Sequence, residues 1–482
     1  MVCIVMKKRI FIIADHGLSL VYFLQSDLVP TLLNSGVEII LLTDDGACAA
    51  IEKRFAQPGI TFEGLRLDQC AKYYETIAPR RQLWLYVLRW VGGSNRVNVK
   101  AMDGNYRLIT TGISGRTRLM IPLIDSLVWL MRRSRLMRKL VVDYQDHFNP
   151  RIYTDLFERY NPDLVLASSP GWRFDRYLLR EAAARGVPTA TAVVGWDNPS
   201  SYRLNGAHVD RITCWSEIQK EELVLGADWK PEQVSIGGIP SYDGYFLRSW
   251  LIPRDEYFRM HGLDPQRKLL SYACSFETFA PNFPNIAAIA ELVNQNSLSE
   301  PCQLLIRLHP NHFRPNSRFE DEANRVRKYI QGMPHVHLVE PATLGGGMGH
   351  YSGEDIGEKS SMMAYSDVFL TVYSTMVVET AIHDRPIVSV CIDIPGGWNM
   401  PQFYSLPLAE IGEWPTHLRF RQSGAGRVAV NQQEVLQHVN YYLKDPAADR
   451  DNRSRFIRDE CTFTDGNAGR RTAQNVLAWL QG

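Results

Sequence analysis

Continuous apolar segments alternate with amphipathic helical segments along this chain, and the alternation restricts the fold more than any other feature. The first two apolar segments cover residues 9–14 and 37–43, with an amphipathic segment up to Asn34 between them. A strand that is apolar on both faces belongs to a parallel sheet covered by helices on both sides. Further strands are predicted over residues 164–167, 189–194, 212–215 and 234–236. The first half of the chain is therefore expected to be an α/β domain built from β-α-β units.

The alternation starts again after a boundary that we place between Pro240 and Asp255. Strands of this second series are predicted over residues 268–273, 303–308, 335–339, 368–372 and 386–390. A chain of 482 residues is long enough for two such domains. We expect two Rossmann-like, doubly wound parallel-sheet domains facing a central cleft, the N-terminal one over residues 1–245 and the C-terminal one over 246–482. The last helix is expected to pack back on the N-terminal domain.

Composition excludes several classes of protein. The formal net charge is +1, from 53 Lys and Arg against 52 Asp and Glu, so no overall field favours nucleic acid. The 8 cysteines are scattered, which predicts neither a disulfide framework nor a zinc site. No segment approaches the ~20 apolar residues that span a bilayer, and residues 119–131 are interrupted by Pro122 and Asp125. We expect a cytoplasmic protein, soluble or peripheral on the inner face of the cell membrane, with no metal. Neither a P-loop nor an H-E-x-x-H motif is present, which argues against an ATPase and a zinc protease.

Residues 79–142 interrupt the regular pattern. They hold 13 Lys or Arg against two acidic residues, interleaved with Trp84, Tyr86, Trp90 and Trp129. Such a segment suits the surface of an anionic membrane or a phosphate-bearing acceptor, since cations meet phosphates while indoles lie at the interface. The alternative is a solvated helical hairpin whose Trp residues face the core. Both interpretations stay open at this level.

One apolar segment of the second half, residues 305–308, ends in His309 and Pro310, with Arg307 just inside it. Ligands of doubly wound sheets bind at the carboxyl ends of the strands, so Arg307 and His309 are candidates for contact with a phosphate. The alternative is a structural His that caps the strand end.

A second strand end carries hydroxyl groups. The strand at 368–372 runs into Tyr373, Ser374 and Thr375, followed at once by a helix. Ser or Thr at this position is first of all an N-cap, but the same geometry presents N–H groups and hydroxyls to an anion. Glu379 lies one turn into the helix, where it could accept hydrogen bonds from ribose hydroxyls; the alternative is an ordinary exposed Glu.

The third motif is Gly237-Gly238-Ile239-Pro240, which leads to Asp243 at the predicted boundary. The order Gly-x-Pro-x-x-Asp, x-His-Pro, and Asp-x5-Tyr-Ser-Thr-x3-Glu resembles the metal-independent glycosyltransferases of the GT-B type. It is most similar to the CDP-glycerol glycerophosphotransferase-like group and its relatives, the bacterial sialyltransferase-type and UDP-N-acetylglucosamine 2-epimerase-like proteins. The resemblance covers residues 193–390 best, plus residues 465–471.

The resemblance implies a donor activated by a CMP, CDP, UDP or GDP type of nucleotide and held by the C-terminal half. His309, Ser374 and Thr375 would lie at the phosphates and Glu379 at the ribose or sugar. Residues implied for the donor site as a whole are Arg307, His309, Ser374, Thr375, Glu379, Gly238 and Pro240. The acceptor, a glycan or a lipid-linked molecule, would lie against the N-terminal half, and no cofactor besides the donor is implied.

The chain departs from the family pattern at one point that bears on catalysis. Where the glycerophosphotransferases carry Trp-His-Gly-Thr, this sequence has Gly195-Trp196-Asp197-Asn198. If that His deprotonates the acceptor hydroxyl, Asp197 would have to take its role, which a carboxylate can do. Asp15 and His16, at the end of the first strand, are rival candidates for the base, with a structural turn as the alternative.

These observations predict a metal-independent glycosyltransferase or polyol-phosphate transferase that moves a group from a nucleotide-activated donor to a hydroxyl acceptor in bacterial surface polysaccharide or glycoconjugate synthesis. A UDP-sugar 2-epimerase or hydrolase of the same fold is the first alternative. A non-catalytic binding subunit of this fold is the second.

Overall fold

The computed structural model describes residues 7–76, 85, 87–111, 113, 115–201, 203–275, 282–313, 318–341, 355–393 and 406–481. Within these ranges the chain forms two compact units. The N-terminal unit runs to Asp243 and includes the last segment from Cys461 onward, and the C-terminal unit runs from Gly244 to Glu460. The chain passes from one unit to the other two residues before the boundary predicted at 245.

A parallel sheet of seven strands forms the centre of the N-terminal unit, in the order β3-β2-β1-β4-β5-β6-β7. Its strands are β1 Arg9–Ala14, β2 Glu38–Thr43, β3 Ile60–Gly64, β4 Leu164–Ala167, β5 Thr189–Ala192, β6 Arg211–Cys214 and β7 Val234–Ile236. In β1, Ile12 pairs with Leu41 on one side and Leu166 on the other. Residues Ile10 to Ala14 are fully buried, because helices cover both faces of the sheet.

The helices of this unit follow the strands in sequence. They are α1 Gly17–Leu24, α2 Leu28–Asn34, α3 Cys48–Phe55, α4 Leu67–Thr76, α5 Val99–Thr111, α6 Ile121–Arg133, α7 Arg135–Gln145, α8 Thr154–Tyr160, α9 Asp175–Ala184, α10 Asn198–Ser201 and α11 Glu217–Gly226. Short 3₁₀ helices cover Gly115–Met120, Pro231–Gln233 and Pro240–Tyr242.

The C-terminal unit repeats the arrangement with six parallel strands in the order β10-β9-β8-β11-β12-β13. They are β8 Lys268–Ala273, β9 Cys302–Arg307, β10 Val336–Val339, β11 Val368–Thr371, β12 Ile387–Val390 and β13 Arg427–Ala429. In each sheet the first strand of the unit is the third strand from one edge, and the strand order reverses beside it. The reversal point lies between β1 and β4 in one unit and between β8 and β11 in the other, and such points are where doubly wound sheets bind ligands.

The remaining helices complete the chain. They are α12 Asp243–Phe246, α13 Arg254–Met260, α14 Phe283–Asn294, α15 Arg318–Ile330, α16 Ile356–Tyr365, α17 Met376–Ile382, α18 Leu408–Ile411, α19 Pro415–Ser423, α20 Gln432–Lys444, α21 Arg450–Cys461 and α22 Ala468–Trp479, with a 3₁₀ helix at Pro310–Phe313. The last of these, α22, packs on α2 within the N-terminal unit. The predicted fold class of two α/β domains with parallel sheets is confirmed.

The basic segment between β3 and β4 folds as helices with a core of their own. Residues from α6, including Ile124, Val128 and Met131, pack with Val91 in this core. Trp90 packs against the same cluster, whereas Trp129 is 57% exposed, so one of these two Trp residues faces the core and the other faces outward. Residues 79–84 and Tyr86, which hold part of the predicted surface, lie outside the described residues. None of the described helices combines the length and apolar character needed to cross a membrane.

Candidate active site

Three polar residues, Asp15, His16 and Ser168, lie where the strand order of the N-terminal sheet reverses. Strand β1 ends at Ala14, and Asp15 and His16 follow it directly. The neighbouring strand β4 ends at Ala167 and is followed by Ser168. Because these strands are parallel and paired, their carboxyl ends lie side by side. Asp15, His16 and Ser168 are all buried.

Hydrogen bonds join these three residues into a chain. His16 Nδ1 lies 2.6 Å from Asp15 Oδ1, and Ser168 Oγ donates to the same carboxylate oxygen over 2.5 Å. The backbone of His16 is fixed as well, since its N–H donates to Ser19 Oγ and Ser19 Oγ donates to its carbonyl. Asp15 and His16, the rival candidates for the base, are thus hydrogen-bonded to each other at the end of β1, and their role as a base stays a prediction.

Electrostatics sets the protonation state of the pair. Burial lowers the pKa of His16, and the nearby charge of Arg173 lowers it further. Burial would raise the pKa of Asp15, but His16, Arg173 and the bond from Ser168 hold it below its ordinary value. At neutral pH the arrangement is a neutral imidazole that donates from Nδ1 to a carboxylate, which leaves Nε2 as a proton acceptor.

A second buried carboxyl lies on the loop after β4. Ser169 Oγ donates to Asp175 Oδ2 over 2.5 Å, and the backbone N–H of Arg173 donates to Asp175 Oδ1 over 3.0 Å. Burial and the negative charge of Asp15 raise the pKa of Asp175 to about 7. This group is therefore half-protonated near neutral pH, next to a carboxylate that stays ionised.

Asp197, the other candidate base, lies after β5. Its side chain is exposed, yet desolvation by the surrounding protein raises the pKa of its carboxyl. The loop that carries it is fixed, because Gln219 Nε2 donates to the Trp196 carbonyl and the N–H of Ser201 donates to the Asp197 carbonyl. The charge of Arg173 acts on Asp197 as it does on Asp15, His16 and Asp175, so all four titratable groups share one cation.

Sequence reasoning missed four of these residues: Ser168, Ser169, Arg173 and Asp175. The signal was present, since the Ser-Ser-Pro-Gly-Trp segment directly follows a predicted strand of the same sheet. Applying the strand-end rule to β4 as well as to β1 would have found them.

The same loop borders a small basic cavity in the N-terminal unit. Its lining comprises Tyr74, Leu85, Arg89, Gln145, Phe148, Gly171, Arg176, Arg180 and Gly206. Arg180 donates to the carbonyls of Gly206 and Phe148, and burial together with the charge of Arg176 lowers its pKa to about 9. Positive charge therefore accumulates on the side of the loop next to α7.

In the C-terminal unit, Arg307 ends strand β9 as predicted, but its guanidinium is buried. It pairs with Asp355, and its Nε lies 3.1 Å from Glu358 Oε2. Burial would lower the pKa of Arg307, but the two carboxylates outweigh it and raise that pKa. The Tyr257 hydroxyl donates to the other oxygen of Glu358. A role for Arg307 at a phosphate stays a prediction, since these carboxylates already occupy two of its nitrogens.

His309 lies half-exposed beyond the end of β9. Its backbone N–H donates to His312 Nδ1 over 2.9 Å, and His312 Nε2 lies 3.0 Å from Glu322 Oε2. Burial would raise the pKa of Glu322, but His312 and Asn282 hold it below its ordinary value. The buried pair His312 and Glu322, which the sequence did not single out, thus fixes the backbone that carries His309.

Ser374 and Thr375 follow strand β11, beside the reversal point of the C-terminal sheet, and both are half-buried. Ser374 Oγ accepts from the N–H of Met376 over 3.3 Å, whereas Thr375 occupies the N-cap position without a capping bond from its side chain. The Ser374 hydroxyl therefore makes a local turn contact, and neither hydroxyl forms the side-chain N-cap bond that the alternative interpretation expects.

Glu379 is buried rather than exposed. Its Oε2 lies 2.5 Å from Lys359 Nζ, and the hydroxyl of Tyr245 bonds to the same carboxylate. Burial and this carboxylate raise the pKa of Tyr245. The alternative of an ordinary exposed Glu is wrong, and the predicted contact with a ribose stays a prediction.

Gly238 and Pro240 belong to the N-terminal unit, whereas the other residues predicted for the donor belong to the C-terminal unit. Gly238 has a φ of +87°, and a Cβ there would lie 2.9 Å from the Cβ of Ala468. Asp243 accepts hydrogen bonds from the N–H groups of Ala468 and Gly469, over 3.0 and 2.8 Å. The Gly-x-Pro-x-x-Asp motif thus meets the start of α22, and its donor role stays a prediction.

The described ranges contain no group of three or more His, Cys, Asp or Glu side chains placed to hold a metal ion.

No family model matches the chain, and no curated protein matches it by sequence. Solved structures resemble it over nearly its whole length. UDP-GlcNAc 2-epimerase from Neisseria meningitidis, bound to UDP-GlcNAc, is 10% identical with a TM-score of 0.53, over 98% of this chain and 100% of that one. The S. aureus MnaA–UDP structure is 13% identical with a TM-score of 0.54, over 98% and 97%. A glycosyltransferase from Rickettsia africae ESF-5 is 10% identical with a TM-score of 0.51, over 98% and 99%. The chain therefore shares the fold of these proteins; the narrower resemblance to glycerophosphotransferases stays a prediction.

Proposed function

We propose that this chain is an enzyme of nucleotide-activated sugars, and that it transfers a glycosyl or polyol-phosphate group to a hydroxyl acceptor in surface polysaccharide or glycoconjugate synthesis. The proposal rests on the hydrogen bonds that connect Ser168, Asp15 and His16 at the reversal point of the N-terminal sheet. Its geometry is that of a general base held by a buried carboxylate.

In the proposed reaction, His16 Nε2 takes the proton of the acceptor hydroxyl as that oxygen attacks the donor. Asp15 keeps the ring in the tautomer that can accept this proton, and its charge stabilises the imidazolium that results. Asp197 is the alternative base, since it is exposed and its pKa is raised toward the range that suits proton transfer.

The C-terminal unit is proposed to hold the donor. His309, Ser374 and Thr375 lie at the ends of β9 and β11, near the point where the strand order reverses. Their ring and hydroxyl groups would contact the oxygens of a diphosphate and stabilise the nucleotide as it leaves. The proposal needs no metal, because these donors and nearby N–H groups meet the charge.

A second candidate is a UDP-sugar 2-epimerase or hydrolase. Two observations favour it: the fold is shared with UDP-GlcNAc 2-epimerases, and Asp15, Asp175 and Asp197 place three carboxyls around Arg173. Such a reaction has no separate acceptor, so it proceeds with the UDP-sugar alone, whereas the transferase also requires a hydroxyl acceptor.

Calorimetric titration with CMP, CDP, UDP and GDP tests nucleotide binding first. Absence of binding for all four nucleotides is the result expected of a non-catalytic subunit with a decayed site, and it would contradict the proposal. UDP-GlcNAc is then supplied without any acceptor. Formation of free UDP with an epimerised or hydrolysed sugar supports the second candidate, whereas release that depends on an added glycan or lipid-linked acceptor supports the transferase.

A further inference from the structure

Exposed large apolar side chains are concentrated on one part of the N-terminal unit. Of the 13 such side chains in the described chain, eight lie between residues 119 and 144. These eight, here called the outer apolar face, are Leu119, Met120, Leu123, Trp129, Leu130, Leu136, Leu140 and Tyr144. Their clustering distinguishes them from the scattered apolar residues of an ordinary surface.

The spacing of these residues along α6 and α7 places their side chains on the outward side of each helix. On α7, Leu136, Leu140 and Tyr144 recur every four residues, so they lie along one side of the helix. Leu136 is 65% and Leu140 50% exposed. The preceding helix α6 packs against α7 and turns Leu123 and Leu130 outward, while its Ile124, Val128 and Met131 enter the core.

Cations lie among these apolar residues. Arg118 and Arg133 are exposed, and within the described residues neither is paired with a carboxylate. The Arg133 guanidinium lies 4.6 Å from the centroid of the Trp129 ring. Of the acidic residues nearby, Asp143 is paired with Lys139, whereas Asp125 accepts from the neutral Tyr106 hydroxyl and keeps its charge. The two unpaired guanidinium groups of Arg118 and Arg133 therefore outnumber the carboxylate of Asp125.

We propose that the outer apolar face rests on an anionic lipid bilayer. Leucine side chains would enter the boundary between headgroups and acyl chains, Trp129 would lie at the headgroup level, and Arg118 and Arg133 would meet lipid phosphates. The combination of apolar stripes with unpaired cations fits an anionic lipid surface better than a neutral protein surface. The helices lie on the membrane and do not cross it. This inference is independent of the reaction that the chain catalyses.

Flotation of the full chain with vesicles tests the proposal. We expect binding to vesicles of phosphatidylethanolamine and phosphatidylglycerol, much weaker binding to phosphatidylcholine alone, and loss of binding in high salt. Leu136→Ser combined with Leu140→Ser should weaken the partition onto anionic vesicles by about tenfold or more. Arg118→Gln combined with Arg133→Gln should weaken it by about tenfold, and only on the anionic vesicles.

Matched controls lie outside the face. Leu247→Ser changes a leucine that is 61% exposed in the C-terminal unit, and Lys53→Gln with Lys72→Gln removes two exposed cations elsewhere in the N-terminal unit. Both should bind vesicles like the wild type, with unchanged circular dichroism. Failure of the wild type to float with anionic vesicles would overturn the proposal. So would leucine variants that bind as well as the wild type, or that alter only the oligomeric state measured by light scattering, which would make the face a contact between copies.

Discussion

At the scale of single residues, the imidazole of His16 has one nitrogen engaged and one available. Nδ1 lies 2.6 Å from Asp15 Oδ1, and the Ser168 hydroxyl donates a hydrogen bond to the same oxygen. Since burial lowers the pKa of His16, the ring is neutral at pH 7 and its Nε2 carries the lone pair that a base requires. The proposed reactivity thus depends on Asp15, a carboxylate that is expected to act only through His16.

Replacing Asp15 tests this dependence. In Asp15→Asn the amide can donate to His16 Nδ1, which favours the tautomer with a protonated Nε2 and removes the base. We expect kcat to fall by roughly 10²–10⁴ with little change in the KM for the donor. The exposed Asp68→Asn in the same unit is the control and should leave both constants unchanged. A kcat near that of the wild type in Asp15→Asn would show that the pair is structural.

Asp175 predicts an unusual dependence of stability on pH. Its pKa is about 7 in the folded chain against an ordinary value of 3.8, so the folded state binds a proton that the unfolded chain has released. Stability contributed by this site is therefore present at low pH and is lost as the pH rises from 3.8 to about 7. Asp175→Asn keeps a neutral group there and should raise the free energy of unfolding by roughly 1–3 kcal/mol at about pH 8 and by little at about pH 4. Thermal unfolding at the two pH values measures this, and an equal effect at both would contradict the assignment.

Some of these residues could be predicted from the sequence and some could not. Asp15, His16 and Asp197 follow apolar segments, so the strand-end rule finds them without a structure. The burial of Glu379 against Lys359, and the two carboxylates that hold Arg307, depend on residues distant in sequence, and no local pattern reveals them. The raised pKa of Asp175 likewise arises from burial and from the charge of Asp15, which lies 160 positions away in the chain.

At the scale of elements, the sequence predicts every inner strand of both sheets and the edge strands β7 and β10, but not the other two edge strands. Strands β4 and β8 have the predicted bounds, because each is apolar on both faces. The edge strands β3 and β13 were missed, since β3 is partly exposed along its length and β13 has three residues. An edge strand pairs on one side only and needs no continuous apolar segment, so its sequence carries little signal.

The start of α22 offers a test at this scale. Asp243 accepts from the N–H groups of Ala468 and Gly469, which no residue of the helix itself can satisfy. Asp243→Ala should destabilise the N-terminal unit by roughly 1–3 kcal/mol. We expect a lower melting temperature in calorimetry, while the exposed Asp255→Ala should melt like the wild type. An unchanged melting temperature for Asp243→Ala would mean that solvent satisfies these groups equally well.

At the scale of the whole molecule, the near-zero net charge is a sum of unlike parts. The balance of 53 cations against 52 anions includes a segment, residues 79–142, with 13 cations and two anions. The strand order is the same in both units, apart from the additional β7 of the N-terminal unit. The alternation of apolar and amphipathic segments predicts the fold class of the two units. Sequence and fold leave the nucleotide base undetermined, because base recognition depends on side chains that the shared strand order does not specify.

If His16 is the base of a nucleotide-sugar enzyme, the rate of nucleotide release from the donor identified by titration should depend on it. This rate is compared among the wild type, His16→Asn and His208→Asn, the last of which changes an exposed histidine of the same unit. We expect His208→Asn to match the wild type and His16→Asn to be slower by about 10² or more, with unchanged nucleotide affinity and melting temperature. A His16→Asn variant that releases nucleotide as fast as the wild type would contradict the claim.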